Sequence, residues 1–118
     1  MRTKDNFIKR ALKFSIEVIK LTGLFPNKRQ FWIIADQIIR SACSIGANMT
    51  EANSASSKKD YINFYSYALK SANETKYWLI LLEKLWNNPR IKGLIQEVEE
   101  LARILAASII TMKKSQAK

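Results

Sequence analysis

The sequence has no histidine, and it contains one cysteine, three glycines and two prolines in 118 residues. Without histidine the chain cannot by itself form a Ser-His-Asp or Cys-His catalytic arrangement or an imidazole metal site. The single cysteine, Cys43, cannot form a disulfide within the chain, which fits a reducing compartment. Because glycine and proline are scarce, we expect long, uninterrupted secondary-structure elements.

Long hydrophobic segments are missing as well. The longest apolar runs cover residues 31–35 and 78–82, far short of the ~20 residues that a membrane helix needs. The first residues are charged and lead into an amphipathic segment, unlike the apolar core of a signal peptide. We therefore expect a soluble, cytoplasmic protein with no membrane partner.

Charge is present in excess of one sign. The chain has 20 Lys and Arg residues against 10 Asp and Glu residues, a net charge of +10. Such a charge favours polyanionic partners or acidic protein surfaces. The excess is uneven, because residues 1–29 contain eight basic and two acidic residues. A charge that serves only solubility is the alternative interpretation.

Apolar residues recur at spacings of three and four along four segments, which predicts four amphipathic helices. We place these helices at residues 5–22, 28–54, 58–86 and 89–113, followed by a polar tail at 114–118. No segment shows the period-two alternation of a strand. Four helices with short connections predict one all-α domain over residues 1–118, an antiparallel up-down-up-down four-helix bundle.

Turn and cap residues mark the predicted helix boundaries. Gly23 occupies the position of a glycine that ends the first helix. Asn27 and Ser57 are the expected N-caps of the second and third helices. Asn88 followed by Pro89 predicts an N-cap and a proline in the first turn of the fourth helix.

Two helices have more apolar residues than a single core-facing stripe requires. The additional residues are Ile8, Leu12 and Ile19 on the first helix and Phe64, Trp78 and Leu85 on the third. This excess predicts a subunit interface in a homo-oligomer. A wide arc that faces the core is the alternative.

A row of polar residues borders the apolar line of the second helix at spacings of three and four. We interpret it as a structural polar network with residues of the third helix, made up of Gln37, Arg40, Ser44, Asn48, Glu51, Ser71 and Glu74. Ser41 lies in the same row. The expected pairs are Arg40 with Glu51 or Glu74, and Asn48 with Ser71. An ordinary solvated polar face is the alternative.

The motif from Gln37 to Ala52, QIIRSACSIGANMTEA, resembles the signature of four-helix-bundle proteins encoded by intervening sequences of bacterial 23S rRNA genes. Phe25-Pro26 and the stretch from Ala68 to Glu74 also match that pattern. The resemblance implies a homopentamer of antiparallel bundles with no catalytic residues. The family includes the accessory variability determinants of diversity-generating retroelements, which bind a reverse transcriptase and its template RNA through a basic surface.

A basic ridge is predicted on the first helix, where Lys9, Lys13 and Lys20 lie within roughly 40° of one another at 100° per residue. The candidate nucleic-acid-binding residues are Arg2, Lys9, Arg10, Lys13, Lys20, Lys28 and Arg29. We expect binding that is electrostatic and weakly sequence-selective. A solvated lysine face is the alternative.

We expect no enzymatic activity, no catalytic residue, no metal site and no cofactor. Di-iron bundles use a Glu-x-x-His motif, and HEPN-type ribonuclease bundles also require histidine. Cys43 is interpreted as a small apolar residue of the core. The predicted function is a basic, oligomeric, RNA-binding accessory protein with a reverse transcriptase as candidate partner. A purely structural or protein-interaction bundle, encoded by an rRNA intervening sequence, is the alternative.

Overall fold

Four helices and no strand make up the part of the chain that the computed structural model describes, the backbone of residues 2–117 and the side chains of residues 4–115. The helices are Arg2–Thr22 (α1), Arg29–Ala52 (α2), Lys58–Leu85 (α3) and Arg90–Ala117 (α4). Each packs against the helices before and after it, and α1 also packs against α4, which closes a ring. The rod measures 52 × 22 × 22 Å. The predicted all-α bundle of antiparallel neighbours is confirmed.

The helix boundaries differ from the predicted ones at several ends. Helix α1 begins three residues earlier than expected, and α4 continues to Ala117. The prediction of a polar tail at 114–118 is therefore wrong up to residue 117. Lysine, glutamine and alanine are good helix formers, and no glycine or proline interrupts this segment. Lys118 and the side chain of Arg2 lie outside the described residues.

The start of α2 does not use the predicted cap. The N-cap is Lys28, with an extended backbone at φ −137° and ψ 146° and no capping side chain. Asn27 lies one residue too early to cap the helix, and its side-chain oxygen accepts a hydrogen bond of 3.1 Å from the indole of Trp32 instead. The prediction of an Asn27 cap is therefore wrong.

The side chains predicted to cap α3 and α4 accept backbone hydrogen bonds there, although α4 begins at Arg90, one residue after the predicted first residue, Pro89. The Ser57 hydroxyl accepts a hydrogen bond of 3.0 Å from the Asp60 backbone N–H, and the Asp60 carboxylate accepts one of 3.2 Å from the Ser56 N–H. The side-chain oxygen of Asn88 accepts a bond of 2.9 Å from the Arg90 N–H. Each of these caps therefore satisfies one of the free backbone donors at the start of its helix.

Gly23 follows the last residue of α1, but not in the left-handed conformation of a typical C-terminal glycine. No residue of the described chain has a positive φ. The Gly23 N–H lies 3.3 Å from the carbonyl of Ile19 and 3.2 Å from that of Lys20, and the next two residues continue with bonds to carbonyls three positions back. The helix thus tightens into the turn.

The core follows the predicted apolar stripes. Phe14, Ile38, Met49, Leu79 and Leu105 are almost completely buried, and each helix contributes to one continuous cluster. The seam between α1 and α4 is the least closely packed of the four seams. Between α1 and α2 the backbones approach closely at Gly46, because a Cβ atom there would lie 3.4 Å from the Cβ of Ala11.

One end of the bundle is formed by the connection between α1 and α2 and the connection between α3 and α4. Three aromatic rings join these two connections at their base. The Phe25 ring centroid lies 5.1 Å from that of Trp86 and 5.5 Å from that of Phe31, in edge-to-face arrangements. We define residues 19–32 and 82–93 as the loop end.

Candidate nucleic-acid interface and polar seam

The predicted basic ridge of α1 lies on the outer surface of the bundle. Lys9, Lys13 and Lys20 are exposed, and the Lys20 ammonium is 3.7 Å from the Glu17 carboxylate. Arg10 differs, because its guanidinium donates two hydrogen bonds of 2.7 and 2.8 Å to Glu97 of α4. These bonds raise the pKa of Arg10 above its ordinary value. The structure therefore places Arg10 in the α1–α4 seam rather than facing outward.

Ion pairs neutralise much of the central part of the bundle, the residues more than one turn from the helix ends. This region contains eight basic and six acidic side chains among those described. Besides the Arg10–Glu97 pair, the Lys76 ammonium lies 2.8 Å from Glu99 and lowers the pKa of that carboxyl. The electrostatic field outside this region is therefore weaker than its basic residues alone would produce.

Positive charge is concentrated at the loop end. Among the described side chains of the loop end, six are basic and one, Glu83, is acidic. The basic residues are Lys20, Lys28, Arg29, Lys84, Arg90 and Lys92. All six are exposed. Because the aromatic contacts join the two connections, residues distant in sequence form one charged surface.

The sequence interpretation identified half of this surface. It included Lys20, Lys28 and Arg29 but missed Lys84, Arg90 and Lys92. Residues 29 and 84 lie in different segments of the chain, so charge summed along the sequence does not combine them. The signal was present in the predicted topology, because an up-down-up-down bundle brings its first and third connections to the same end.

The row of polar residues on α2 faces α3 and forms a hydrogen-bonded seam. The Ser71 hydroxyl donates a bond of 3.0 Å to the Ser44 hydroxyl. The Asn48 amide donates to the carbonyl and hydroxyl of Ser44 at 2.8 and 3.0 Å. Asn48 and Ser71 thus meet through Ser44 rather than directly. The Thr75 hydroxyl donates a bond of 2.8 Å to the buried Ser41.

Towards the surface the same seam ends in a charged cluster. The Arg40 guanidinium pairs with Glu74 of α3 and donates a bond of 3.1 Å to the Gln37 side chain. The indole of Trp78 donates a bond of 3.0 Å to Glu74. The hydrogen bond from Trp78 and the charge of Arg40 lower the pKa of Glu74. Glu51 is exposed at the end of α2, away from this cluster.

The seam is satisfied within the bundle. Among the described side chains, no buried nitrogen or oxygen atom lacks a hydrogen-bond partner. A polar group with all its bonds made inside the fold stabilises one arrangement of the helices and presents no free atom to a ligand. The buried part of the seam therefore stabilises the packing of α2 against α3.

The residues of the two additional apolar lines lie in different environments. On α1, Leu12 and Ile19 are exposed and Ile8 is half-buried, whereas Phe64 and Trp78 of α3 pack against the core. Leu85 is exposed. We define the apolar strip as the exposed residues Leu12, Ile16 and Ile19 of α1 together with Trp32 of α2. Leu12 is 59% exposed and Trp32 57% exposed.

Other kinds of site have little support in the described part of the chain. Cys43 is half-buried on α2. No three Cys, Asp or Glu side chains of the described residues are grouped as metal ligands. None of the four helices, as far as they are described, is long and apolar enough to span a bilayer.

Comparison with known proteins identifies the family. Residues 3–107 match the model of the family described as 23S rRNA-intervening sequence protein. The chain belongs to this family. A crystal structure from Bacteroides thetaiotaomicron, of a protein with unknown function from the S23 ribosomal protein family, is similar to this chain with a TM-score of 0.82. The two are 32% identical, and the match covers 90% of this chain and 96% of that chain.

No curated protein matches this chain. The predicted family is thus confirmed, and the four-helix fold is shared with a solved structure. The relation to accessory variability determinants of retroelements stays a prediction.

Proposed function

We propose that this protein is a non-enzymatic RNA-binding accessory protein and that its loop end contacts the RNA backbone. One observation supports the location: six exposed basic side chains share this end with a single carboxylate among the residues described. Lysine and arginine bind phosphates by charge and release condensed counterions. Binding through such contacts is strong at low salt and weakly sequence-selective.

The α1 ridge has a secondary role in this proposal. Lys9 and Lys13 point outward and extend the positive surface from the loop end along α1. Arg10 contributes less than the lysines, because the Nε and Nη2 groups of its guanidinium donate to Glu97. Breaking that pair to reach a phosphate leaves Glu97 unpaired, which offsets the gain.

Oligomerisation belongs to the same proposal. Leu12, Ile16 and Ile19 lie on one face of α1 and are exposed. Because monomeric proteins rarely expose such a line of large apolar residues, the apolar strip is the proposed contact between copies. The family resemblance implies a pentamer, in which the loop ends of five copies add their fields. We place the protein in the cytoplasm, and a reverse transcriptase bound to its template RNA is the proposed protein partner, again through the resemblance.

The test is the affinity for a structured RNA as a function of salt, measured by fluorescence anisotropy. The variant Lys28→Glu/Arg29→Glu/Arg90→Glu is expected to bind at least tenfold more weakly and with a smaller salt slope, by about 0.7–0.9 for each phosphate that the variant no longer neutralises. The matched control Lys59→Glu/Lys70→Glu/Lys113→Glu changes the same number of charges at exposed lysines outside the loop end, for which the described structure contains no ion pair. Replacement of Lys9 and Lys13 by glutamate measures how much the basic ridge of α1 contributes to the RNA affinity.

The outcomes separate the candidate functions. Absence of binding by the unmodified protein at about 50–100 mM salt contradicts the proposal. If sedimentation then shows an oligomer that Leu12→Glu dissociates, the protein-interaction bundle is the better description, because the apolar strip supports that function by itself. Co-purification from the native cell, scored for RNA and for reverse transcriptase, tests the proposed partners.

A further inference from the structure

An apolar groove opens between α1 and α4 at the end of the bundle opposite the loop end. Its walls and floor include Lys4 and Phe7 of α1, Tyr61 and Tyr65 of α3, and Ile104 and Met112 of α4. The volume of this terminal groove is about 620 Å³. Sites for small organic ligands typically have volumes of ~300–1,000 Å³, apolar walls and a few polar groups. The terminal groove has all three properties.

Two tyrosines form the polar part of the floor. The rings of Tyr61 and Tyr65 are stacked with centroids 5.0 Å apart, and the Tyr61 hydroxyl donates a bond of 3.4 Å to the Tyr65 hydroxyl. Tyr65 is only 4% exposed. Either hydroxyl can donate across this contact, so when Tyr61 donates, the hydrogen of Tyr65 is available to a ligand in the groove. Burial raises the pKa of Tyr65, so the hydroxyl stays protonated and remains a donor.

A positive charge lies at the rim of the same groove. The Lys4 ammonium is 4.7 Å from the centroid of the Tyr61 ring, a cation–π contact that holds it above the tyrosine pair. The groove therefore combines apolar walls, a buried hydroxyl donor and a cation. An alkyl or aryl chain with one carboxylate complements this combination, because its oxygen accepts from Tyr65 and its charge attracts Lys4.

We propose that the terminal groove binds a small amphipathic carboxylate, of the size of a medium-chain fatty acid. The apolar body lies against Phe7, Ile104 and Met112, and the carboxylate lies between Lys4 and the hydroxyl of Tyr65. This binding is independent of RNA, because the groove and the loop end are at opposite ends of the bundle.

The first test compares three probes with the same chain and different head groups: decanoate, decanol and decylamine. Isothermal titration calorimetry of the full chain is expected to give a Kd for decanoate below about 1 mM. Decylamine is expected to bind at least tenfold more weakly, because its charge is repelled by Lys4. Equal affinities for decanoate and decylamine, or no binding of decanoate, overturn the proposal.

The second test locates the site with variants that preserve the fold. Tyr65→Phe removes the donor and is expected to weaken decanoate binding by about tenfold or more, whereas the control Tyr67→Phe changes an exposed tyrosine outside the groove. Ala107→Trp places a large ring among the groove-lining residues and is expected to abolish binding. Its control, Gln96→Trp, adds the same ring at an exposed position of α4 outside the groove.

Circular dichroism and sedimentation of each variant complete the design. Undiminished decanoate binding by folded Ala107→Trp overturns the location of the site. If Ala107→Trp instead dissociates an oligomer that decanoate does not bind, a second copy of the chain covers the groove and the proposal is wrong.

Discussion

The Thr75 hydroxyl on α3 donates a hydrogen bond of 2.8 Å to the Ser41 hydroxyl on α2, and both side chains are completely buried. Thr75 Oγ1 also lies 2.7 Å from the carbonyl oxygen of Ser71, and Ser41 Oγ lies 3.3 Å from that of Ile38. This pair is the innermost part of the α2–α3 seam. A shift of one helix along the other breaks the bond between the two hydroxyls and leaves each with only the carbonyl contact on its own helix, so the pair favours one register.

The first prediction concerns this pair. Thr75→Val keeps the shape of the side chain but leaves the Ser41 hydroxyl without its donor, and we expect a loss of about 1–3 kcal/mol in the free energy of unfolding. The double variant Ser41→Ala/Thr75→Val removes both groups, so it is expected to lose less than the sum of the single variants. Urea unfolding of the four proteins measures this coupling. Strict additivity contradicts the proposed role of the pair.

The second prediction is a pH dependence from Glu74. The Trp78 indole and the Arg40 guanidinium lower the pKa of this carboxyl below its ordinary value of 4.5. A lowered pKa in the folded state means that the stabilisation is complete above the ordinary value and is lost as pH falls through the lower folded value. The stability difference between the unmodified protein and Glu74→Gln is therefore expected to shrink as pH falls from about 6 to about 3.

Urea midpoints measured across this pH range check that expectation. The control Glu51→Gln changes an exposed carboxylate at the end of α2, for which the described structure contains no ion pair. The stability difference between the unmodified protein and Glu51→Gln is expected to stay small over the whole pH range. Because the sequence has no histidine, stability is also expected to be nearly flat between about pH 6 and 8. A Glu74→Gln difference that grows on acidification is inconsistent with the assigned contacts.

The third prediction concerns two helical glycines. A Cβ atom at Gly93 meets no atom within 4 Å, so Gly93→Ala is expected to stabilise α4 by about 0.5–1 kcal/mol through helix propensity and chain entropy. Thermal unfolding is the measurement. Gly46→Leu is expected to lower the stability instead, because a large side chain there collides with Ala11 across the α1–α2 seam. A gain from Gly46→Leu contradicts this packing.

The fold could be predicted from the sequence because one signal, the spacing of apolar residues, dominates it. Apolar residues at spacings of three and four identify each helix, and residues such as Ile38 and Leu79 are completely buried as expected. Ser57 and Asn88 were found because cap geometry depends on neighbours in sequence. The predicted cap at Asn27 was wrong by one residue. The side-chain oxygen of Asn27 accepts a hydrogen bond from the Trp32 indole instead.

The candidate surface was harder to predict because it depends on contacts between distant residues. The spacing of the α2 polar row indicated a seam but did not identify the partner of Ser41. The structure shows that this partner is Thr75. The bond between Arg10 and Glu97 joins residues 87 positions apart, and no local pattern shows that this guanidinium is occupied. The basic residues of the loop end likewise form one surface only because the contact between Phe25 and Trp86 brings the two connections together.

The loose α1–α4 seam has a consequence for folding kinetics. Helices adjacent in sequence make the three better-packed seams, and only the α1–α4 seam joins the first helix to the last. Chains dominated by contacts between sequence neighbours fold fast, because little loop entropy is lost before the contacts form. The ring of helices therefore closes at this seam last, and native-state hydrogen exchange is expected to report α1 as the first helix to open.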